Sequence, residues 1–245
     1  MIELLDRRSY SAKVFDLGGR RRRGEFHVGH VHFFDEQTNA LESIDHRWID
    51  RGTHWEMVRA SYRMQVARDF GATNLVRYRN RFEGADHAGV YEPPSLVWAV
   101  GRDLSDVRPF RQQQSVIGVV SGDKITWTNA LGAGIDFEVS LRGSGFTKEV
   151  VIRRRNVLEA PPTPQHRLVL LSRFTGDGLT IRDASGRAWS KHAEFDDPSD
   201  DGFRLEESTG RHSLMRPAYI VESDAENTRH RCPVVWTARN GALWQ

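Results

Sequence analysis

Three histidines, His27, His30 and His32, lie close together in the stretch Phe26-His27-Val28-Gly29-His30-Val31-His32-Phe33-Phe34. On an extended chain, residues two apart point to the same face. His30 and His32 could therefore share a zinc ion if a third ligand, such as His54 or Asp45, folded over them. That arrangement would support metal-dependent hydrolysis. Strand histidines also serve as half-buried, hydrogen-bonded residues. The second reading is preferred, and no metal or other cofactor is expected.

The densest charge cluster is Arg20-Arg21-Arg22-Arg23, flanked by Gly18, Gly19 and Gly24. Guanidinium groups make bidentate contacts with carboxylates and phosphates, so the cluster suits an acidic patch on a neighbouring subunit. A solvated hairpin tip would look the same. Nucleic-acid phosphates are a further target for it and for Arg153-Arg154-Arg155. Neither run is interleaved with aromatics as single-strand grooves are. Trp244 is the second candidate for partner binding, as an aromatic close to the last residue of the sequence.

Other chemistry finds little support, and no catalytic residue is assigned. The pairs Asp196/Asp197, Asp200/Asp201 and Glu206/Glu207 lack the glycine pivot and terminal Glu of a calcium loop. Asp136 and Glu138 fall on what the alternation predicts to be the wet face of a strand. G-x-S-x-G, Walker-type and H-E-x-x-H signatures are absent. Ser121 before Gly122 looks like hairpin punctuation. Cys232, the single cysteine, excludes an internal disulfide framework and a cysteine-rich zinc site.

The elements that would position these residues read at period two. Ile135, Phe137, Val139 and Leu141 alternate with Asp136, Glu138, Ser140 and Arg142, and Gly143-Ser144-Gly145 offers a reversal into 148–152. Further strands are expected over 26–34, 75–82, 115–120, 124–128, 167–172, 179–183, 187–192 and 234–238. The stretch 55–70 fits either a helix or a strand, and a strand is favoured for its second half. Turn signals recur every eight to twelve residues or so, as in sandwiches and barrels.

The fold expected is thus all-β, a large antiparallel β-sandwich or two packed β lobes with long loops. Residues 1–24 are assigned to an N-terminal arm and Arg-rich loop, with Met1 to Lys13 ordering on assembly. Residues 25–245 form the elaborated sandwich. The run Ala160-Pro161-Pro162-Thr163-Pro164 either marks a sub-lobe boundary at 160–164 or crosses between sheets; the crossing is preferred. The tryptophans Trp48, Trp55, Trp98, Trp127, Trp189, Trp236 and Trp244 are spread evenly. Spacing of that kind fits core filling better than a sugar-stacking platform.

With 245 residues, 35 Lys+Arg against 33 Asp+Glu and a formal charge of +2, net charge alone makes no case for a polyanionic partner. No apolar run nears the roughly 20 residues of a membrane helix, and MIELLDRRSY lacks the apolar centre of a secretory signal. A soluble, non-secreted chain is expected.

Several segments together resemble proteins of known type. His30-Val31-His32-Phe33-Phe34-Asp35 with Leu41-Glu42-Ser43-Ile44-Asp45 is similar to the opening of β-rich proteins found in bacteriophage virions and large bacterial surface proteins. Gly134-Ile135-Asp136-Phe137-Glu138-Val139 with Phe146-Thr147-Lys148-Glu149-Val150-Val151-Ile152 resembles their hairpin. Arg216-Pro217-Ala218-Tyr219 falls where those proteins often carry a proline-rich segment. The resemblance implies a non-enzymatic structural role in a tailed-phage particle, as a head, connector or tail component. It further implies a virion location and contacts with copies of itself and with other virion proteins. It supplies no active-site residues. A carbohydrate-binding module with exposed Trp and Tyr is the second expectation. A metal-dependent hydrolase built on His27, His30 and His32 is the third.

Overall fold

Alternating apolar side chains and short turns produce antiparallel ribbons from one end of the sequence to the other. The computed structural model describes residues 1–27, 31–35, 37–60, 62–80, 88–101, 104–142, 145–176, 179–183, 185–188, 195–196, 203–206, 212–215, 218–221, 229–232, 235–239 and 242–244. Among them the regular structure is all β, apart from two single-turn 3-10 helices at Leu5–Arg7 and Arg155–Val157. The all-β expectation holds. The chain divides into two units, Met1–Asp86 with Gln113–Leu158, and His87–Gln112 with Glu159–Gln245. Each unit is therefore discontinuous in sequence. One crossing, from Leu158 to Glu159, falls just before the proline run.

The first unit begins with β1 (Ile2–Glu3), β2 (Ala12–Gly18) and β3 (Arg21–Phe26), which pair in that order into a small sheet. Ile2 lies opposite Asp16, so the stretch expected as an arm already pairs within this unit. A second ribbon joins β4 (His32–Asp35) to β5 (Ala40–Ser43). The strand expected over 26–34 is thus split, with β3 ending at Phe26 and β4 starting at His32. Between them, the backbone N–H groups of Val31 and His32 both turn to the carbonyl of Tyr10, at 2.7 and 3.2 Å.

Two larger sheets supply the core of this unit. One runs β6 (Ile49–Asp50), β7 (His54–Met57), β8 (Tyr62–Ala67) and β9 (Val76–Asn80). Here 55–70 gives two strands, because Trp55, Met57, Tyr62, Met64 and Val66 all fit period two and all are buried.

The other sheet orders β13 (Val119–Ser121), β14 (Lys124–Trp127), β15 (Ile135–Arg142) and β16 (Gly145–Ile152), with β10 (Ala88–Tyr91), β11 (Ser95–Val100) and β12 (Asp106–Pro109) lying in the second unit. The β15–β16 hairpin runs in register from Ile135 opposite Ile152 to Arg142 opposite Gly145. Residues 143–144 of its reversal lie outside the described residues. Ser121 pairs with Lys124, which leaves a two-residue turn with Gly122 at φ 62°.

Trp127 sits between these sheets with its ring 6.4 Å from Trp55, 6.1 Å from Phe70 and 6.0 Å from Phe137. Side chains from both sheets therefore share one core, and Phe146 of β16 adds a ring 5.6 Å from Tyr78 of β9. Tyr62 donates a hydrogen bond to the carbonyl of Gly145. Its burial pushes the phenol upward in pKa, so it stays a donor.

In the second unit, β11 (Ser95–Val100) pairs with β12 (Asp106–Pro109) and with β17 (Arg167–Leu171) around a cluster of Val97, Ala99, Leu104 and Leu171. The strands β10 (Ala88–Tyr91), β18 (Arg173–Gly176) and β26 (Ala242–Trp244) are neighbours in that order. Beyond β26 come β25 (Val235–Arg239) and β20 (Phe195–Asp196). A separate ribbon holds β19 (Thr180–Arg182), β21 (Phe203–Glu206) and β22 (His212–Met215). Finally β23 (Ala218–Val221) pairs with β24 (Arg229–Cys232).

Candidate functional site

The arginine cluster is built into a hairpin. Gly18, Gly19 and Arg20 make the reversal at φ 79°, 58° and 66°, and Arg21, Arg22 and Arg23 then enter β3. Arg20 is the non-glycine residue of this turn held in the left-handed region. Arg22 and Arg23 lie opposite Asp16 and Phe15. Arg23 pairs with Glu25 at 3.1 Å, and all four arginines are exposed.

The sheet that carries them is unusual for what it leaves open. No residue from 1 to 27 is buried. Phe26 is 86% exposed and Ile2 is 74% exposed, and Leu5, Tyr10 and Leu17 are exposed as well. A three-stranded sheet normally covers one apolar face; here large apolar side chains and a basic edge strand face outward together.

Its anchorage is polar. Arg8 holds both carboxylate oxygens of Glu3, at 3.0 and 3.1 Å, and donates to the carbonyl of Leu41 at 2.7 Å. His32 is fully buried; its Nδ1 is 2.7 Å from the carbonyl of Ser9 and its Nε2 is 3.1 Å from Glu3 Oε1. The Arg8 hydrogen bond, helped by His32, holds the Glu3 carboxyl below its ordinary pKa against the opposing effect of burial.

This geometry bears directly on the histidine cluster. Both ring nitrogens of His32 already face protein oxygens, so a metal ion would have to displace one of them. His27 is exposed and engages Ser11 through its backbone N–H. His30 lies outside the described residues. Among the described residues, no three His, Cys, Asp or Glu side chains converge as a metal site would need.

The remaining sequence candidates divide. Trp244 lies within a sheet, opposite Arg173 of β18 and Thr237 of β25, so its backbone is paired on both sides. Cys232 lies opposite Ala218 in the β23–β24 ribbon. Trp55, Trp98 and Trp127 are core residues.

Asp136 corrects the wet-face expectation. It is 4% exposed, accepts the N–H of Asn129 at 2.7 Å and pairs with Arg153 at 2.7 Å. Ser140 on the same face is fully buried, so β15 is covered on both sides along much of its length. Glu138 is held by Lys124 and Thr126.

Two groupings were not singled out from the sequence. Thr163 Oγ1 is 2.8 Å from His166 Nδ1, and His166 Nε2 is 3.3 Å from Asp106. The order of groups resembles a nucleophilic triad. The ring is only 2% exposed, however, and Thr163 and His166 close one tight turn through a 3.1 Å backbone bond. Their role is to fasten the turn after the proline run.

The second grouping is the outer face of β7–β8–β9. Met64, Val66, Val76 and Tyr78 fill the inner face, so Arg63, Gln65, Arg77 and Arg79 must point the other way. The alternation of Arg with apolar residues in 75–82 contained this signal. What it lacked was the register that brings Arg63 alongside.

Compared with models of known protein families, with curated proteins and with solved structures, the chain matches none. Among the described residues, no helix is long and apolar enough to cross a membrane.

Proposed function

We propose that this chain is a non-enzymatic structural subunit that works by association with copies of itself, in the setting of a bacteriophage particle. The observation that carries this reading is the β1–β2–β3 sheet, none of whose side chains is buried. An outward-facing Phe26 and Ile2 beside a row of arginines suit a partner surface that is apolar at its centre and acidic at its rim. The strand β3 lies at the edge of its sheet, where a neighbour's strand can add by main-chain hydrogen bonds.

A second copy supplies the required charge, since the chain carries 33 carboxylates against 35 basic side chains. The virion setting rests on the sequence resemblance to phage β-proteins. Copies around a ring or shell need complementary patches and no catalytic group.

Sedimentation velocity over a broad concentration range tests the idea. The wild-type chain should associate, and replacing Arg20, Arg21, Arg22 and Arg23 by serine together with Phe26→Ser should leave a folded monomer. A wild-type chain that stays monomeric throughout, or a variant that associates equally well, would overturn it. Electron microscopy of the associated material should show rings or shells.

A further inference from the structure

The β2–β3 register fixes which way the backbone of β3 faces. Glu25 and Arg23 lie opposite Lys13 and Phe15, and the N–H of His27 donates to the Ser11 carbonyl at 2.9 Å. Backbone groups of successive residues point to opposite edges of a strand, so the odd-numbered residues bond toward β2. The N–H and C=O groups of Arg22, Gly24 and Phe26 therefore face the open edge. All three residues are exposed, and among the described residues no strand pairs with that edge.

An open edge of this kind is a template for another strand. The side chains decide which strand fits. Arg22, Gly24 and Phe26 share one face, and Arg23 and Glu25 share the other, where they already form a 3.1 Å ion pair. When β3 is laid antiparallel against a second β3, the register is set by the residue on the twofold axis. Centring on Arg21, Arg22 or Arg23 sets arginine against arginine, and centring on Glu25 sets glutamate against glutamate. Centring on Gly24 instead places Arg23 opposite the partner's Glu25, and Glu25 opposite the partner's Arg23. Like charges directly opposite destabilise a strand pair and unlike ones stabilise it, so that register is favoured.

Resting on the association reading above, we propose that β3 pairs antiparallel with β3 of a second copy, with Gly24 on the twofold axis. The pairing uses the outward N–H and C=O groups of Arg22, Gly24 and Phe26 from each copy, about six main-chain hydrogen bonds in all. It joins two β1–β2–β3 sheets edge to edge. On one face the Arg23 and Glu25 pairs close into a ring of alternating charge. On the other, Phe26 meets the partner's Arg22, a cation–π contact that covers a ring 86% exposed in the single chain. Glycine at the axis keeps that face clear, because the Phe26 ring already lies beside it, 3.2 Å from where a Cβ would sit. A twofold contact closes on itself, so the dimer is the unit from which larger arrays grow.

Sedimentation equilibrium of the full chain tests the register separately from association itself. The wild type should form dimers before any larger species. Gly24→Pro keeps every charged side chain and Phe26, and it costs no bond to β2 because the N–H it removes faces outward. It should weaken dimerisation about tenfold or more. Arg23→Glu and Glu25→Arg should each weaken dimerisation roughly tenfold, since each sets like charges opposite. Mixed in equal amounts, these two variants should pair with each other, a gain that loss of folding cannot imitate. A wild-type chain that stays monomeric would overturn both this pairing and the association reading. The pairing alone would fall if the wild type associates and Gly24→Pro does so equally well, or if the mixture associates no better than its components.

Discussion

Trp127 Nε1 donates a 2.9 Å hydrogen bond to the carbonyl of Arg68, a residue 59 positions earlier in the chain. The bond fixes the indole where the two large sheets of the first unit meet. The same Arg68 carbonyl accepts the N–H of Gly118 at 2.8 Å, and the Arg68 guanidinium lies over the Trp55 ring at 5.5 Å. Trp127→Phe removes the donor and part of the ring while leaving an apolar filler. The expected loss is about 2–3 kcal/mol, from the cavity and the weakened hydrogen bonding together. Urea unfolding followed by far-ultraviolet circular dichroism measures it.

Gly118 is the close-approach residue beside that indole. A Cβ there would lie 2.8 Å from Trp127 Nε1, 2.9 Å from Trp127 Cε2 and 3.0 Å from Ile125 Cγ2. The ring cannot yield without breaking its bond to Arg68, so Gly118→Ala should cost about 1–3 kcal/mol by overpacking. The double variant with Trp127→Phe should lose less than the sum of the two single changes, because the shorter ring removes the obstacle. Strict additivity would show that the methyl is accommodated elsewhere.

Asp136 joins the turn before β15 to the residue just past the end of β16. Its Oδ1 accepts from Asn129 N–H and its Oδ2 from Arg153, while Asn129 Oδ1 accepts the N–H of Gly134 at 2.7 Å. Asp136→Ala takes the acceptor from the part-buried Asn129 N–H bond and releases the half-exposed Arg153, for an expected loss of about 2 kcal/mol. Arg153→Ala should cost less, because solvent replaces part of what it gives. A reversed order of the two midpoints in urea would count against this account.

Legibility in the sequence followed how each residue meets its surroundings. The 135–152 hairpin could be read because its pattern and its reversal agree, and β8 because Tyr62, Met64 and Val66 keep period two. The strand β11 escaped because Leu96, Val97, Trp98 and Ala99 are all buried and so do not alternate. Asp136 was read as wet because its covering turn arrives by tertiary packing. Ser115–Ile117 was expected within a strand, yet it bridges to the Asp69 loop instead, with Ser115 Oγ 2.7 Å from Asp69 Oδ2. The meeting of Arg63 with Arg79 depends on register between β8 and β9, which single-strand periodicity does not contain.

Glu3 makes the anchorage of the N-terminal sheet acid-sensitive. Its carboxyl titrates below the ordinary value of 4.5, chiefly through Arg8. The unfolded chain therefore binds a proton first as pH falls. The stabilisation is fully present above the ordinary value and is lost as pH drops through the folded one. Hydrogen–deuterium exchange of β1 and β2 amides, corrected for intrinsic rates, should accelerate below about pH 4 before the β14–β15 amides do. Glu3→Gln should show faster exchange of the same amides at neutral pH and a flatter dependence on acid. Matching profiles for the two proteins would remove Glu3 from the anchorage.

Lys148 sets the opposite limb of the pH dependence. It lies opposite Val139 on β16, between Phe146 and Val150 on the face that meets the core. Burial pushes its ammonium down from 10.5 to about 7. Below that value the group is charged in both folded and unfolded chains, and burial works against the folded state. Between about 7 and 10.5 the folded state holds the neutral amine while the unfolded chain remains protonated, so stability should rise with pH across this window. Lys148→Met keeps the length and apolar stem of the side chain without the charge. It should raise the melting temperature at pH 6 and flatten the rise between pH 7 and pH 10. Equal slopes in the two proteins over that range would show that Lys148 keeps its ammonium in water, with the stem alone against the core.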